Sequence, residues 1–315
     1  MVELAIASTF RRPAQSHYLD NARGFRQHYL DWPGTNPPVV LLHPKRSNAR
    51  HWDHMVDALD SPNRVLALDS RGHGLSDYPQ DGYRVPELGE DVVAFLDGSG
   101  IERAFFVGGA TGGNLCIWLA ATVPDRVAGI GLADPGMSVP KHIAAEVIRQ
   151  TREEHDFKDF ATAKASMHFQ ELWSPAVLDH YATHSFVEHP DGRWAWRYAA
   201  EPARIIAASL DDDPVWDMAL SVKCPTVLVR GATSAVFTDA HMARLVDLIP
   251  HARVVHLANA EHTPAQENPT GMAAEVDALV AATELGSAGL SRAEDASKNR
   301  ERVIEKTSGG SAVCG

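Results

Sequence analysis

The sequence predicts an α/β protein: a mostly parallel central sheet flanked by helices, with a helical cap inserted between two of its strands. Three observations carry this. Short, wholly apolar runs recur along the chain, as strands buried on both faces require. Longer helical stretches alternate with them, the pattern of strand–helix–strand units. One block, from about Val139 to Leu220, breaks the alternation and lacks a clear strand.

The elements follow in order. Phe25 to Trp32, closed by a turn at Pro33-Gly34, reads as an antiparallel strand at the edge of the sheet. Val39 to Leu42 is a buried strand, a helix is expected around Trp52 to Leu59, and Arg64 to Leu68 is the next strand. Ala104 to Val107, Val127 to Ala133, Thr226 to Val229 and Ala252 to Leu257 complete the set. Helices are expected over Pro86 to Leu96, Asn114 to Thr122, His241 to Leu248 and Thr270 to Thr283. The inserted block holds Trp173, Trp194, Trp196 and Trp216, read as packing residues of a helical lid over the strand ends, with a substrate-pocket lining by one or two of them left open. The expected division is a core of residues 1–138 and 221–285, a cap of residues 139–220, and a polar, disordered tail of residues 286–315.

Composition narrows the function classes. Hydrophobic residues make up 44% of the chain and charged ones 22%, ordinary for a soluble globular enzyme. The formal net charge is −12 with no basic stripe, which argues against phosphate neutralisation and so against nucleic acid as a partner. An anionic membrane surface would repel such a chain. No apolar run approaches the ~20 residues of a membrane span, and Met1 to Arg12 lacks the apolar core of a signal peptide, so a cytoplasmic protein is expected. Cys116, Cys224 and Cys314 show no paired spacing and read as reduced, unlinked thiols. The expected partner is a small-molecule substrate; assembly into a homo-oligomer is left open.

The strongest motif runs Phe105-Phe106-Val107-Gly108-Gly109-Ala110-Thr111-Gly112-Gly113-Asn114-Leu115: a strand enters a very tight turn and a helix leaves it. Three further segments accompany it. They are Leu41-Leu42-His43-Pro44 with Trp52 nine residues after His43, VLALDSRGHGLSD over Val65 to Asp77, and ANAEHTPAQENP over Ala258 to Pro269. Together these resemble the α/β-hydrolase fold superfamily over roughly Tyr18 to Thr283, in its single-domain, capped form.

What that resemblance implies is specific. The glycine-rich corner corresponds to the nucleophile elbow, normally G-x-S-x-G, and two registers compete for it. Counting from Ala110, glycines fall at +2 and +3 and Pro124-Asp125-Arg126 at +14 to +16, the superfamily's spacing; counting from Thr111 misses each by one. Ala110 therefore takes the nucleophile position, giving a catalytic triad variant without its attacking oxygen. His262 takes the position of the catalytic histidine. The commoner place for the acid, Arg230 to Ala235, holds no carboxylate; Asp239 lies further on and begins the next helix. Asp134, after the preceding parallel strand, is the choice for the acid, against an ordinary turn residue before Pro135. The oxyanion donors would be the backbone N–H groups of Lys45 and Thr111. Two positions depart from the usual pattern: Pro44 stands where glycine follows the histidine, and Gly109 where histidine often precedes the serine. His43 belongs to the oxyanion loop and braces it by default.

Other candidates have plainer readings. His73 reads as a turn residue between two glycines. His180 and His184 lie four apart near His189, but lack the glutamate of H-E-x-x-H and read as solvated lid histidines. Asp211 to Asp213 reads as a charged loop and helix start, and no phosphate-binding loop is present. No metal, nicotinamide or flavin is implied. Three functions stay open: a hydrolase of a small ester, amide, lactone or β-diketone whose serine is absent; a His–Asp general-base enzyme such as a cofactor-independent dioxygenase or lyase; and a ligand-binding protein without catalysis.

Overall fold

The computed structural model describes residues 10–137, 145, 156–167, 171–199 and 215–283. Elements are numbered among these residues. Eight strands form the main sheet: β1 (Gln15–Asn21), β2 (Phe25–Trp32), β3 (Thr35–Leu42), β4 (Asn63–Leu68), β5 (Ala104–Gly109), β6 (Val127–Ala133), β9 (Thr226–Gly231) and β10 (Arg253–Leu257). Their order is β1-β2-β4-β3-β5-β6-β9-β10. The β1–β2 and β2–β4 pairs are antiparallel and the rest parallel.

Successive side chains of a strand point to opposite faces, and here both faces are apolar. Val40, Leu42, Leu66, Leu68, Phe106 and Leu132 enter one core cluster. Their neighbours Val39, Leu41, Val65, Ala67, Phe105 and Val107 enter the other. That is why these runs are continuously hydrophobic rather than alternating. Helix α2 (Val85–Gly98), with Pro86 in its first turn, buries Leu88, Val92, Phe95 and Leu96 at helical spacing on the first face. There it packs beside α3 (Thr111–Thr122). The second face is covered by α1 (Asp53–Ala58) through Met55 and Val56, and by the helix over residues 269–283 through Met272, Val276 and Leu279.

Two expectations need correction. Phe25–Trp32 is antiparallel but not the edge, because β1 pairs outside it from Gln15↔Asp31 to Asn21↔Phe25. The inserted block is not purely helical. Besides α4 (Phe160–Ala165) and α5 (Pro175–Ser185) it forms a two-stranded hairpin of β7 (Phe186–Glu188) and β8 (Trp194–Trp196). Its turn holds Asp191-Gly192, with Gly192 at φ 84°, a backbone conformation that favours glycine. Phe157, Tyr181 and Phe186 pack with Trp194 and Trp196 in a core of their own, whereas Trp216 joins Val215 and Ala219 in the first main cluster. The tail beyond 285, Asp211 to Asp213 and part of the expected cap lie outside the described residues.

The cap is tied to the core by buried polar contacts. His180 Nε2 meets Asp53 Oδ2 at 2.5 Å, and Arg50 Nη1 reaches the same oxygen at 3.2 Å. The Tyr181 hydroxyl donates to Ser47 Oγ at 2.7 Å, and Trp173 Nε1 donates to Thr263 Oγ1 at 3.0 Å. His180 is thus buried rather than solvated, and His184 beside it is held down to about pKa 4, first by burial and then by Arg50. His189 is exposed. His180→Ala is expected to destabilise the protein by about 1.5–3 kcal/mol, the usual value of a hydrogen bond to a charged group. Urea unfolding measures it; a change under about 0.5 kcal/mol, ordinary for a surface substitution, would refute the latch. No helix among the described residues is long and apolar enough to cross a membrane.

Candidate functional site

The chain crosses from β3 to β4 on one side and returns to β5 on the other, so the C-terminal ends of β3 and β5 border a crevice of the kind that holds ligands in open α/β sheets. The loops that leave those two ends carry Pro44-Lys45 and Ala110. Between β5 and α3 the backbone turns through one residue, Ala110, at φ 45° and ψ −114°. An L-residue at positive φ outside the helical wells is strained by about 1–3 kcal/mol. Close backbone crossings hold it there. A Cβ on Gly108 would stand 2.1 Å from the Gly112 carbonyl carbon, and one on Gly112 would stand 2.0 Å from Leu42 O. Only glycine fits at either place. Thr111 is not the corner residue; it is the first residue of α3 and is buried.

Asp134 sits at the adjoining strand end. Gly109 pairs with Ala133, and the Ala110 N–H donates to Ala133 O at 3.1 Å, which sets Asp134 beside the corner. Its carboxylate is fully buried and fully engaged. Oδ1 accepts from the Gly231 N–H at 3.3 Å; Oδ2 accepts from Ser234 Oγ at 2.7 Å and meets His262 Nδ1 at 2.7 Å. Asp134 also has positive φ, 48°, a conformation aspartate tolerates better than most residues. Ser234 lies in the segment where the commoner acid would stand. A serine there donates to the Asp134 carboxylate, which comes from the neighbouring strand. The His262 loop is braced from behind by Glu267, whose Oε2 accepts from the N–H groups of Glu261 at 2.7 Å and Thr263 at 3.0 Å.

On the other side of the corner the two departures from pattern meet. A Cβ on Gly109 would lie 3.2 Å from Pro44 Cγ, so the proline ring occupies space that a longer residue at 109 would need. His51 Nε2 lies 3.7 Å from the same point. Burial, then His43 and His262, push His51 down to about pKa 3, so it is neutral. Nothing in the sequence pattern singled it out. His43 is fully used in bracing: Nδ1 bonds Pro44 O at 2.7 Å, and Nε2 accepts from the Ser70 N–H at 3.1 Å. His73 bonds Arg71 O through Nδ1 at 2.9 Å and accepts from the Arg46 N–H at 3.3 Å. Among the described residues, the backbone N–H groups of Lys45 and Thr111 have no acceptor. The Nζ of Lys45 is buried and likewise unpartnered. No group of three His, Cys, Asp or Glu side chains among the described residues is placed to hold a metal ion.

Comparison with known proteins decides the family. The family model for the alpha/beta hydrolase fold matches residues 37–269. The chain belongs to this family. An esterase of Mycobacterium tuberculosis is 30% identical over 252 residues, 77% of this chain and 82% of the esterase. Haloalkane dehalogenase 2 of Mycobacterium bovis is 27% identical over 277 residues, 84% of this chain and 94% of the dehalogenase. The crystal structure of E-2-(acetamidomethylene)succinate hydrolase matches with a TM-score of 0.78 at 21% identity, over 85% of this chain and 99% of that one. At that identity it speaks for the fold of this α/β-hydrolase and no more.

Proposed function

We propose that this α/β-hydrolase acts on a small ester, amide, lactone or β-diketone-like substrate, with Ala110 at the nucleophile position, so that no acyl-enzyme forms on this chain. The observation that carries the reading is the 2.7 Å bond between His262 Nδ1 and Asp134 Oδ2, set beside the strained corner. The carboxylate keeps the proton on Nδ1 and leaves the basic lone pair on Nε2. His262 then takes a proton from water as that water attacks the carbonyl. The oxyanion that develops is met by the N–H groups of Lys45 and Thr111. Such a site without its nucleophile retains a rate enhancement of about 10³–10⁴ over water. The similarity to a mycobacterial esterase supports carboxylic esters as the first substrates to assay.

Ala110→Ser supplies the missing oxygen at the corner. Its kcat/KM for p-nitrophenyl acetate and butyrate is expected to rise by about 10²-fold or more, with one equivalent of a fluorophosphonate probe attached to position 110. No gain and no labelling would overturn the reading. The methyl at position 110 favours one second reading, in which His262 removes a proton from an acidic C–H or O–H of the substrate itself. In that case the unaltered chain turns over, His262→Ala does not, and Ala110→Ser brings no gain.

A further inference from the structure

Lys45 raises a question that the oxyanion role of its backbone does not answer. Its side chain carries three N–H donors, and among the described residues none of them is used. The amine is sealed from solvent although part of the residue is not. Lysine is almost never buried without an acidic or carbonyl partner, because the lost hydration is not recovered.

Among the described residues no carboxylate bonds it. The groups that bear on it electrostatically are Arg46, a cation, and His73, held neutral near pKa 3 by burial and by His43. Both nitrogens of His73 and of His43 are already bonded to backbone. Two buried carboxylates of this region, Asp69 and Asp134, are committed elsewhere. Asp69 accepts from the Ala49 and Leu75 N–H groups and bonds His28. Asp134 holds Gly231, Ser234 and His262. In a chain of net charge −12, this buried amine thus stands without an acidic partner among the described residues.

The backbone that carries this side chain adjoins the corner. Pro44, the residue before Lys45, has its ring against Gly109, the residue before Ala110. On the other side of Lys45, Arg46 is bonded to His73 and Ser47 to Tyr181 of the cap, so the loop is fixed between core and cap.

We propose that Lys45 anchors the substrate: its ammonium receives a carboxylate carried by the compound whose scissile carbonyl lies over Ala110. This rests on the reading of the corner as the reaction centre and names the substrate class, half-esters or lactones of short dicarboxylic acids. A single ammonium with one charge matches a carboxylate better than a phosphate, which would call for a fork of donors or a nest of N–H groups. In a site closed to water the pair is poorly screened, so a substrate lacking the acid leaves the cation buried and unpaired.

The test reads binding, not turnover. The unaltered chain, which has no nucleophile at 110, is titrated calorimetrically with monomethyl succinate, glutarate and adipate, and with the matching dimethyl esters. At least one half-ester is expected to bind about tenfold or more tighter than its diester. Lys45→Met is expected to abolish that preference while the melting temperature holds or rises, and Lys45→Arg to retain part of it. Equal binding of acid and diester, a preference that survives Lys45→Met, or no saturable binding of any half-ester would overturn the proposal. The two readings fail separately: a Lys45-dependent preference with no esterase gain in Ala110→Ser leaves the anion site standing and removes the hydrolase.

Discussion

Asp134→Asn, made in the Ala110→Ser protein, is expected to lower kcat for p-nitrophenyl butyrate by about 10⁴-fold, the effect of losing the correct histidine tautomer. Asparagine is the informative replacement because it changes little else. It tolerates the positive φ of 48° at this position, where alanine would be strained. Its carbonyl can still accept from the Gly231 N–H, and the Ser234 hydroxyl can turn to accept from the amide instead of donating to the carboxylate. What the amide cannot do is accept from Nδ1 in the same place. It donates there, so the proton moves to Nε2 and the base is lost. A fall of less than about tenfold, one step of 1.4 kcal/mol, would mean that Asp134 is not the acid.

The second large effect concerns stability. Lys45→Met is expected to stabilise the protein at pH 7 by about 1–4 kcal/mol, as replacement of buried charge by a matching apolar side chain often does. At roughly 2–4 °C per kcal/mol for a domain of this size, the shift is visible by calorimetry. Burial, and then Arg46, bring the amine from its ordinary 10.5 to about 7. As pH falls through 10.5 the unfolded chain takes up a proton that the folded chain refuses until about pH 7. The native protein therefore loses stability across that window and no more below it. The advantage of Lys45→Met should be near zero above the window, grow as pH falls through it, and level off beneath. A gain that is flat with pH, or a loss, would show that the amine is satisfied inside the fold. A residue whose removal strengthens the fold but destroys ligand preference is kept for the ligand.

How much of this was legible in the sequence differs by element. The central strands β3, β5 and β6 announce themselves, because burial on both faces leaves little room for polar residues. β1 did not: QSHYLDN lies at the edge, half exposed, with Gln15, Ser16 and Asp20 facing water. β3 starts at Thr35 rather than Val39 because Pro37 and Pro38 read as a break in a strand. The β7–β8 hairpin is only three residues a side, too short for periodicity, although Asp191-Gly192 between aromatic runs was a usable signal. At the site, Ala110, Asp134 and His262 stand in local patterns that one sequence displays. Ser234 and His51 do not, because their parts come from contacts across the fold: Ser234 meets a carboxylate 100 positions away. The isolation of the Lys45 amine was invisible for a similar reason. Having no partner is a property of the assembled surroundings, not of any stretch of chain.

The indole of Trp173 holds the hydroxyl of Thr263, the residue that follows His262. The cap thus adds a fastening of its own to a loop that Glu267 and Asp134 already hold from the core, and the indole at that junction is a built-in optical reporter of it.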